Sequence, residues 1–242
     1  MKKIAILMAA GATVLVSVAP VQAATQSAAD PVRALQAKLK PGRGVYFVEK
    51  VSWSDGTDAR EYGGNKGVFQ FGRKGLSGYD ITMEGGQEPE RVIGIGKTVY
   101  RSGGVLSIVL KDKKKPWYKT TTGGGYPGGA AQIINAAEPK TLAALLRKGK
   151  RDKNSVTGTI TVGDLKKVSP WVARIRNQDN GVKVGYTLWL TSGGLVSRLR
   201  STWTTTENSE TDAVTVDSRY TKWGAKVSIK APAPSKVTTK LF

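Results

Sequence analysis

The 242-residue chain contains no cysteine and no histidine. Without cysteine there is no disulfide to staple the fold, no thiol chemistry, and no lipid-modified cysteine to tether the chain to a membrane. Without histidine the usual general base, the commonest zinc ligand and the side chain that changes charge near neutral pH are all missing. Acidic residues are scarce: 18 Asp and Glu stand against 38 Lys and Arg, a net charge of +20. Such an excess attracts polyanions, among them anionic lipid head groups and wall polymers, and equally keeps a secreted surface soluble.

Long apolar runs are absent beyond the first residues. Lys2 and Lys3 precede an apolar stretch at 4–18, and Val21-Gln22-Ala23 offers the small residues a signal peptidase accepts. The run is shorter than the roughly 20 residues that span a bilayer, and Pro20 closes it. Residues 1–23 therefore read as a signal peptide cut after Ala23, which predicts a secreted protein, free outside the cell or held at the envelope. Export argues against a genomic role, so no specific nucleic-acid partner is expected. No Pro/Ser-rich linker divides 24–242, which reads as one domain and as a monomer.

What the chain does have is strand pattern. Val182, Val184, Tyr186, Leu188 and Leu190 alternate with Lys183, Gly185, Thr187, Trp189 and Thr191, the period-two signature of a strand with one buried face. Ser192-Gly193-Gly194 turns the chain, and 195–204 runs back with Leu195, Leu199 and Trp203 on one side. Similar runs predict strands at 44–53, 66–73, 78–84, 91–95, 98–101, 105–110, 155–162, 168–175, 213–220 and 226–230. Only two helices are expected. Asp30-Pro31 caps and opens the first, with Val32, Leu35 and Leu39 on one face. Glu138-Pro139 opens the second, with Leu142, Leu145 and Leu146 on one face and Arg147, Lys148 and Lys150 suiting its negative C-terminal end. A Gly-rich stretch at 123–129 is either a lid or a plain linker. The Ala-Pro run at 231–234 predicts an extended tail.

Catalytic patterns fail one after another. Gly96-Lys97-Thr98 resembles the end of a phosphate-binding loop, but Arg91 occupies the position of its first glycine, and strand follows instead of helix. A histidine triad is impossible, and no Ser-x-x-Lys pattern occurs. The carboxylate groups Glu84/Glu88/Glu90 and Glu207/Glu210/Asp212 sit in polar turns where solubility explains them. No enzyme activity and no cofactor are expected.

Many strands with two amphipathic helices exclude a doubly wound fold and predict an α+β protein built on an antiparallel sheet. Four segments sharpen this: Lys115-Pro116-Trp117, the helix beginning Glu138-Pro139, the hairpin around Leu188 to Arg198, and the ending from Tyr220 to Pro232. With their order along the chain they resemble the LolA-like carriers, and most closely the secreted LppX/LprG-type lipoproteins of actinobacteria. The resemblance implies a strongly curved antiparallel sheet, an incomplete barrel, with helices plugging the concave face and an apolar acyl-chain pocket between them. Two departures stand out: the tethering cysteine of those lipoproteins is missing, and the strong positive charge needs its own explanation.

The expected function is that of a secreted, non-catalytic carrier of a lipid or other lipophilic ligand. Phe69, Phe71, Ile81 and Met83 of the sheet, Trp117, and Leu142, Leu145 and Leu146 of the second helix are the candidate ligand-binding residues; otherwise the same side chains simply fill a core. Lys113, Lys114 and Lys115, beside Trp117 and Tyr118, are candidates to meet a head group, an anionic membrane surface or a wall polymer. Equally, they form a solvated loop. The alternative function is a basic wall or surface protein that binds anionic polymers or membranes without any lipid pocket.

Overall fold

A computed structural model describes residues 30–73, 75–121, 131–173, 180–207 and 210–241. The signal-peptide reading of 1–23 and the glycine-rich stretch at 123–129 lie outside these residues. The chain opens with α1 (Pro31–Lys38), followed by β1 (Arg43–Ser54), β2 (Ala59–Gly72), β3 (Gly75–Glu84), β4 (Glu90–Ile95) and β5 (Thr98–Gly103). A short α2 (Leu106–Val109) and β6 (Trp117–Thr120) come next, then α3 (Pro139–Lys148), β7 (Lys150–Asp152) and β8 (Ser155–Thr161). After α4 (Val162–Val168) the long strands β9 (Lys183–Leu190), β10 (Val196–Glu207) and β11 (Glu210–Lys226) complete the sheet, with a two-residue β12 (Val237–Thr238) near the end.

All twelve strands form one curved sheet in the order β12-β6-β5-β4-β3-β2-β1-β11-β10-β9-β8-β7, and its ends do not meet. Every pairing is antiparallel except β12 on β6. The pattern predicts the antiparallel sheet, and its open, curved form is the incomplete barrel that the resemblance implies. Hairpin order explains most of it, because consecutive strands joined by short turns pair with their neighbours. One long-range pairing, β1 with β11, joins the two runs of hairpins. The β7 edge is three charged, exposed residues, which discourages a further strand from adding there.

The inner face carries the core. Val45, Phe47, Phe69, Phe71, Tyr79, Ile81, Val156, Tyr186, Leu188 and Leu199 of the sheet join Leu35, Leu142, Leu145 and Leu165 of the helices in one buried cluster. Asp30 caps α1 by accepting from the Val32 and Arg33 amides at 2.9 and 3.3 Å, and the helix buries Pro31 and Leu35. In α3, Leu142 and Leu145 face inward and Leu146 is half-buried. Asp164 of α4 accepts from Lys148 at 3.0 Å and Lys167 at 2.8 Å, tying the two helices together; these ammonium groups hold its carboxyl down at about 2. The Tyr186 hydroxyl donates to the Leu145 carbonyl at 2.7 Å, fastening α3 to β9.

Four details depart from the sequence pattern. Residues 106–109 form a helical turn, although their apolar, partly β-branched run reads as strand. Residues 162–168 are helix, Ser169 is its C-cap and 170–173 are a turn, so the strand expected at 168–175 does not form over the described part of that range. A Thr161 hydroxyl that accepts from the Asp164 amide at 3.1 Å starts α4. In the return arm of the central hairpin a bulge between Val196 and Arg198 brings Val196, not Leu195, to the inner face with Leu199. Gly194 alone supplies the left-handed backbone of that turn, at φ 80°.

The fourth departure is the C-terminal segment. The strand expected at 226–230 ends at Lys226, and the chain then leaves the sheet as a strap over its outer face. The Val227 amide bonds the Gly42 carbonyl at 3.0 Å, and the Ile229 amide bonds Gln70 Oε1 at 2.6 Å. Gln70 alternates with the inward Phe69 and Phe71, so it points outward. Gly44 leaves no room for a Cβ, which would lie 2.0 Å from the Phe69 carbonyl oxygen of β2 and 2.7 Å from a Val227 methyl of the strap. The strap ends by laying β12 against β6 on the far side.

Candidate functional site

The interior of the half-barrel is occupied by the chain itself. Residues 131–138, Ala-Gln-Ile-Ile-Asn-Ala-Ala-Glu, are all buried, yet they form neither helix nor strand. Such a segment must find partners for its polar groups away from water. Gln132 is the anchor: its Nε2 donates to the Val216 carbonyl at 3.3 Å and to Ser218 Oγ at 3.0 Å. Its Oε1 accepts from Ser201 and from the Ile134 amide at 3.3 Å. Its carbonyl accepts from the Trp171 indole at 2.9 Å.

Glu49 lies at the centre of this network. It stands in β1 in phase with Val45, Phe47 and Val51, so its side chain enters the apolar interior. Its carboxyl accepts from Asn65 Nδ2 at 2.8 Å, the Gln132 amide at 3.4 Å and Ser218 Oγ at 3.1 Å. Burial pushes the carboxyl up to about 7, and those three donors pull it only part of the way back. Tyr220, buried beside it, is raised by burial and by the Glu49 charge.

Glu138 is the second buried carboxyl. It sits at the N-cap of α3, but its side chain turns away from the helix amides. It accepts from Thr141 Oγ1 at 2.9 Å, from Ser169, and from the Trp171 amide at 3.0 Å. Burial raises its pKa against the pull of the same donors. The result is a knot that joins α3 to the turn after α4.

This knot floors two adjoining clefts that share Leu76, Glu138 and Pro170. The first, about 390 Å³, is walled by Tyr79, Trp171 and the β4 backbone at Gly94. A Cβ on Gly94 would sit 2.3 Å from the Tyr79 ring, so the glycine lets that ring lie flat on β4. The Tyr79 hydroxyl is buried with no hydrogen-bond partner among the described residues, and burial raises it to about 12. The second cleft, about 540 Å³, runs between α1 and α3 and is lined by Leu39, Val168 and Pro139, with Arg73 and Lys140 exposed on its rim. Together they form an opening with apolar walls, two cations at its edge and the hydrogen-bonded Glu138 carboxyl at its base.

The candidate ligand residues fall into two groups. Phe69, Phe71, Ile81, Leu142 and Leu145 are buried together in the core, and Met83 and Leu146 pack half-buried against them. Phe69 stacks on Phe47 with centroids 4.7 Å apart and meets the edge of Trp171 at 5.3 Å. These side chains fill space between sheet and helix rather than line the clefts. Trp117 is on the opposite face of the sheet, under the Arg91 guanidinium at 5.7 Å, while Arg91 is held by a two-pronged pair with Asp80. Lys113, Lys114 and Lys115 are exposed, and the Lys113 ammonium also bonds the Ser107 carbonyl at 2.5 Å and the Ile108 carbonyl at 3.4 Å. Glu207 and Glu210 face each other in the backbone register of β10 and β11.

Sequence reasoning overlooked Glu49, Gln132, Glu138 as a buried carboxyl, Trp171 and the cleft cations. Only Glu49 left a readable signal: a carboxylate in step with three apolar residues on the inward side of a strand.

No protein-family model matches the chain, and no curated protein matches it. Among solved structures the chain is similar to a LolA superfamily protein from Nitrosomonas europaea, with a TM-score of 0.34 and 6% identity, over 78% of this chain and 89% of that one. It is also similar to a porin-like protein from Bacteroides uniformis, with a TM-score of 0.26 and 11% identity, over 75% and 97% of the two chains. A DUF1329 family protein from Desulfovibrio piger aligns with a TM-score of 0.25 and 7% identity, over 83% and 95%.

Proposed function

We propose that the protein is an exported, non-catalytic binder or carrier of a lipid or similar lipophile, received through the paired clefts at the α1–α3 end of the half-barrel. The observation that carries this reading is the cleft itself: apolar walls from Leu39, Leu76, Val168 and Trp171, with Arg73 and Lys140 on the rim. Both clefts fall in the size range of small-molecule sites, about 300–1,000 Å³. Each methylene taken from water into such walls contributes about 0.8 kcal/mol, so an acyl chain needs few polar contacts. The rim cations suit an acidic head group and have no ion-pair partner among the described residues. The export clause rests on residues 1–23, and N-terminal sequencing of protein from the culture medium should begin at Ala24; a start at Met1 would refute it.

The binding clause is tested by native mass spectrometry and organic extraction of the purified protein. A bound lipophile is expected, and Arg73→Glu with Lys140→Glu should lower retention of an acidic one about ten-fold or more while leaving unfolding unchanged, because both side chains are exposed. A clean apo mass, with no uptake of added fatty acid or phospholipid, would favour the polyanion-binding alternative.

A further inference from the structure

At the opposite end of the β3–β4 hairpin from the clefts, the chain builds a small apolar tip. Val105 and Ile108 are 70% and 73% exposed, more than the other large hydrophobic side chains described as exposed. Residues 102–110 hold no charged side chain. The tip is a built structure. The Ser107 and Ile108 amides bond the Gly104 and Val105 carbonyls at 3.1 Å, and the Val109 and Leu110 amides bond the Val105 and Leu106 carbonyls at 3.2 and 3.1 Å. Ser107 Oγ returns to the Gly104 carbonyl at 2.8 Å, and the Lys113 ammonium covers the Ser107 and Ile108 carbonyls. Leu110 is buried and fixes the turn to the body of the protein, so Val105 and Ile108 are held outward.

Directly after the tip come Lys111, Lys113, Lys114 and Lys115, all exposed; they outnumber the nearby acids, Asp112, whose carboxylate accepts from the Lys114 amide at 3.0 Å, and the exposed Glu88, which lines a surface cleft with Val105 and Ile108. We propose that this turn and its lysines form a docking surface for an anionic lipid bilayer, with Val105 and Ile108 entering the acyl boundary and the lysines meeting the head groups. Two independent features agree on that occupant. An uncharged turn whose backbone is internally hydrogen-bonded can enter an apolar layer without stranding polar groups. A local excess of positive charge beside it complements the negative surface potential, each lysine improving partition about five-fold. A soluble polyanion would use the lysines alone and leave the exposed pair unexplained. The inference does not rest on the carrier reading, since the tip and the clefts are at opposite ends of the hairpin.

The test uses the full chain with vesicles of phosphatidylcholine alone and of phosphatidylcholine with phosphatidylglycerol. The parent should sediment with the anionic vesicles, and added salt should release it. Ile108→Asp with Val105→Asp, and separately Lys111, Lys114 and Lys115→Gln with Lys113 kept on the tip carbonyls, should each weaken that binding ten-fold or more. Unfolding should not change, since these side chains are exposed. Ile108→Trp supplies a local readout: phosphatidylglycerol vesicles doped with brominated lipid should quench its added fluorescence, beyond any quenching of the parent. Binding that survives the Asp pair, or an Ile108→Trp signal that brominated lipid leaves untouched, would overturn the proposal. So would equal binding to neutral vesicles by parent and lysine variant.

Discussion

Glu49→Gln should make the protein's stability far less dependent on pH between about 5 and 8. In the folded protein burial carries this carboxyl from its ordinary 4.5 to about 7. Between those values the folded state keeps a proton that the unfolded chain has released. Stability is therefore greatest below the unfolded pKa and falls as pH rises through the folded one. A shift of that size corresponds to about 3 kcal/mol lost between pH 5 and pH 8. Burial is what disfavours the charged form: Asn65, Ser218 and the Gln132 amide favour it, but as neutral donors they offset only part of the lost hydration. Gln keeps the shape and accepts from the same two amides, while the Ser218 hydroxyl can rotate to accept from its Nε2. Urea midpoints at pH 5, 6.5 and 8 read the effect. Glu138, also raised by burial, leaves a smaller slope of the same sign in the variant. Equal slopes in parent and Glu49→Gln would show that the carboxyl is not the group responsible.

Trp171→Ala should be the most damaging single truncation in the site, costing about 3–5 kcal/mol. The indole meets Phe69 and Tyr79 edge-on, both at 5.3 Å, and so joins the turn after α4 to β2 and β3. Its N–H also satisfies the Gln132 carbonyl at 2.9 Å. Alanine opens a cavity and strands that carbonyl. Trp171→Phe separates the two effects, since it restores most of the ring contact but not the hydrogen bond, and should cost about 1–3 kcal/mol. Denaturant unfolding of both variants measures the pair. A loss below about 1 kcal/mol for Trp171→Ala would mean that the segment 131–138 is held without the indole.

Much of the framework is legible in local pattern. The alternation through Val184, Tyr186, Leu188 and Leu190 predicts a strand with those residues inward, and each is buried. Asp30 caps the first helix, and Pro31 and Pro139 open the two helices where proline suits the first turn. These features are local because a period of two or a cap depends only on residues a few positions apart. Local pattern misled where two conformations share one composition. Leu106-Ser-Ile-Val109 is as apolar and β-branched as a strand, and tertiary context turned it into a helical turn. Val196 reached the inner face through a bulge, a change of register that alternation alone does not carry.

The site depended on contacts between distant parts of the chain. Glu49 and Gln132 are 83 positions apart, and Gln132 and Ser218 are 86. Nothing in Ala-Gln-Ile-Ile-Asn-Ala-Ala-Glu says that it will be buried without regular structure, because Gln132 is held by β1, β10 and β11 and Glu138 by α3 and the turn after α4. The same reason places Phe71 and Leu145 in the filled core and Trp117 across the sheet from them. By itself the sequence determined an α+β chain dominated by antiparallel strands, strongly basic, without thiol or imidazole chemistry. Tertiary structure alone decided which apolar residues meet, where the clefts open and which carboxyls lose their water, since burial and its electrostatic cost belong to the assembled interior and not to any one stretch.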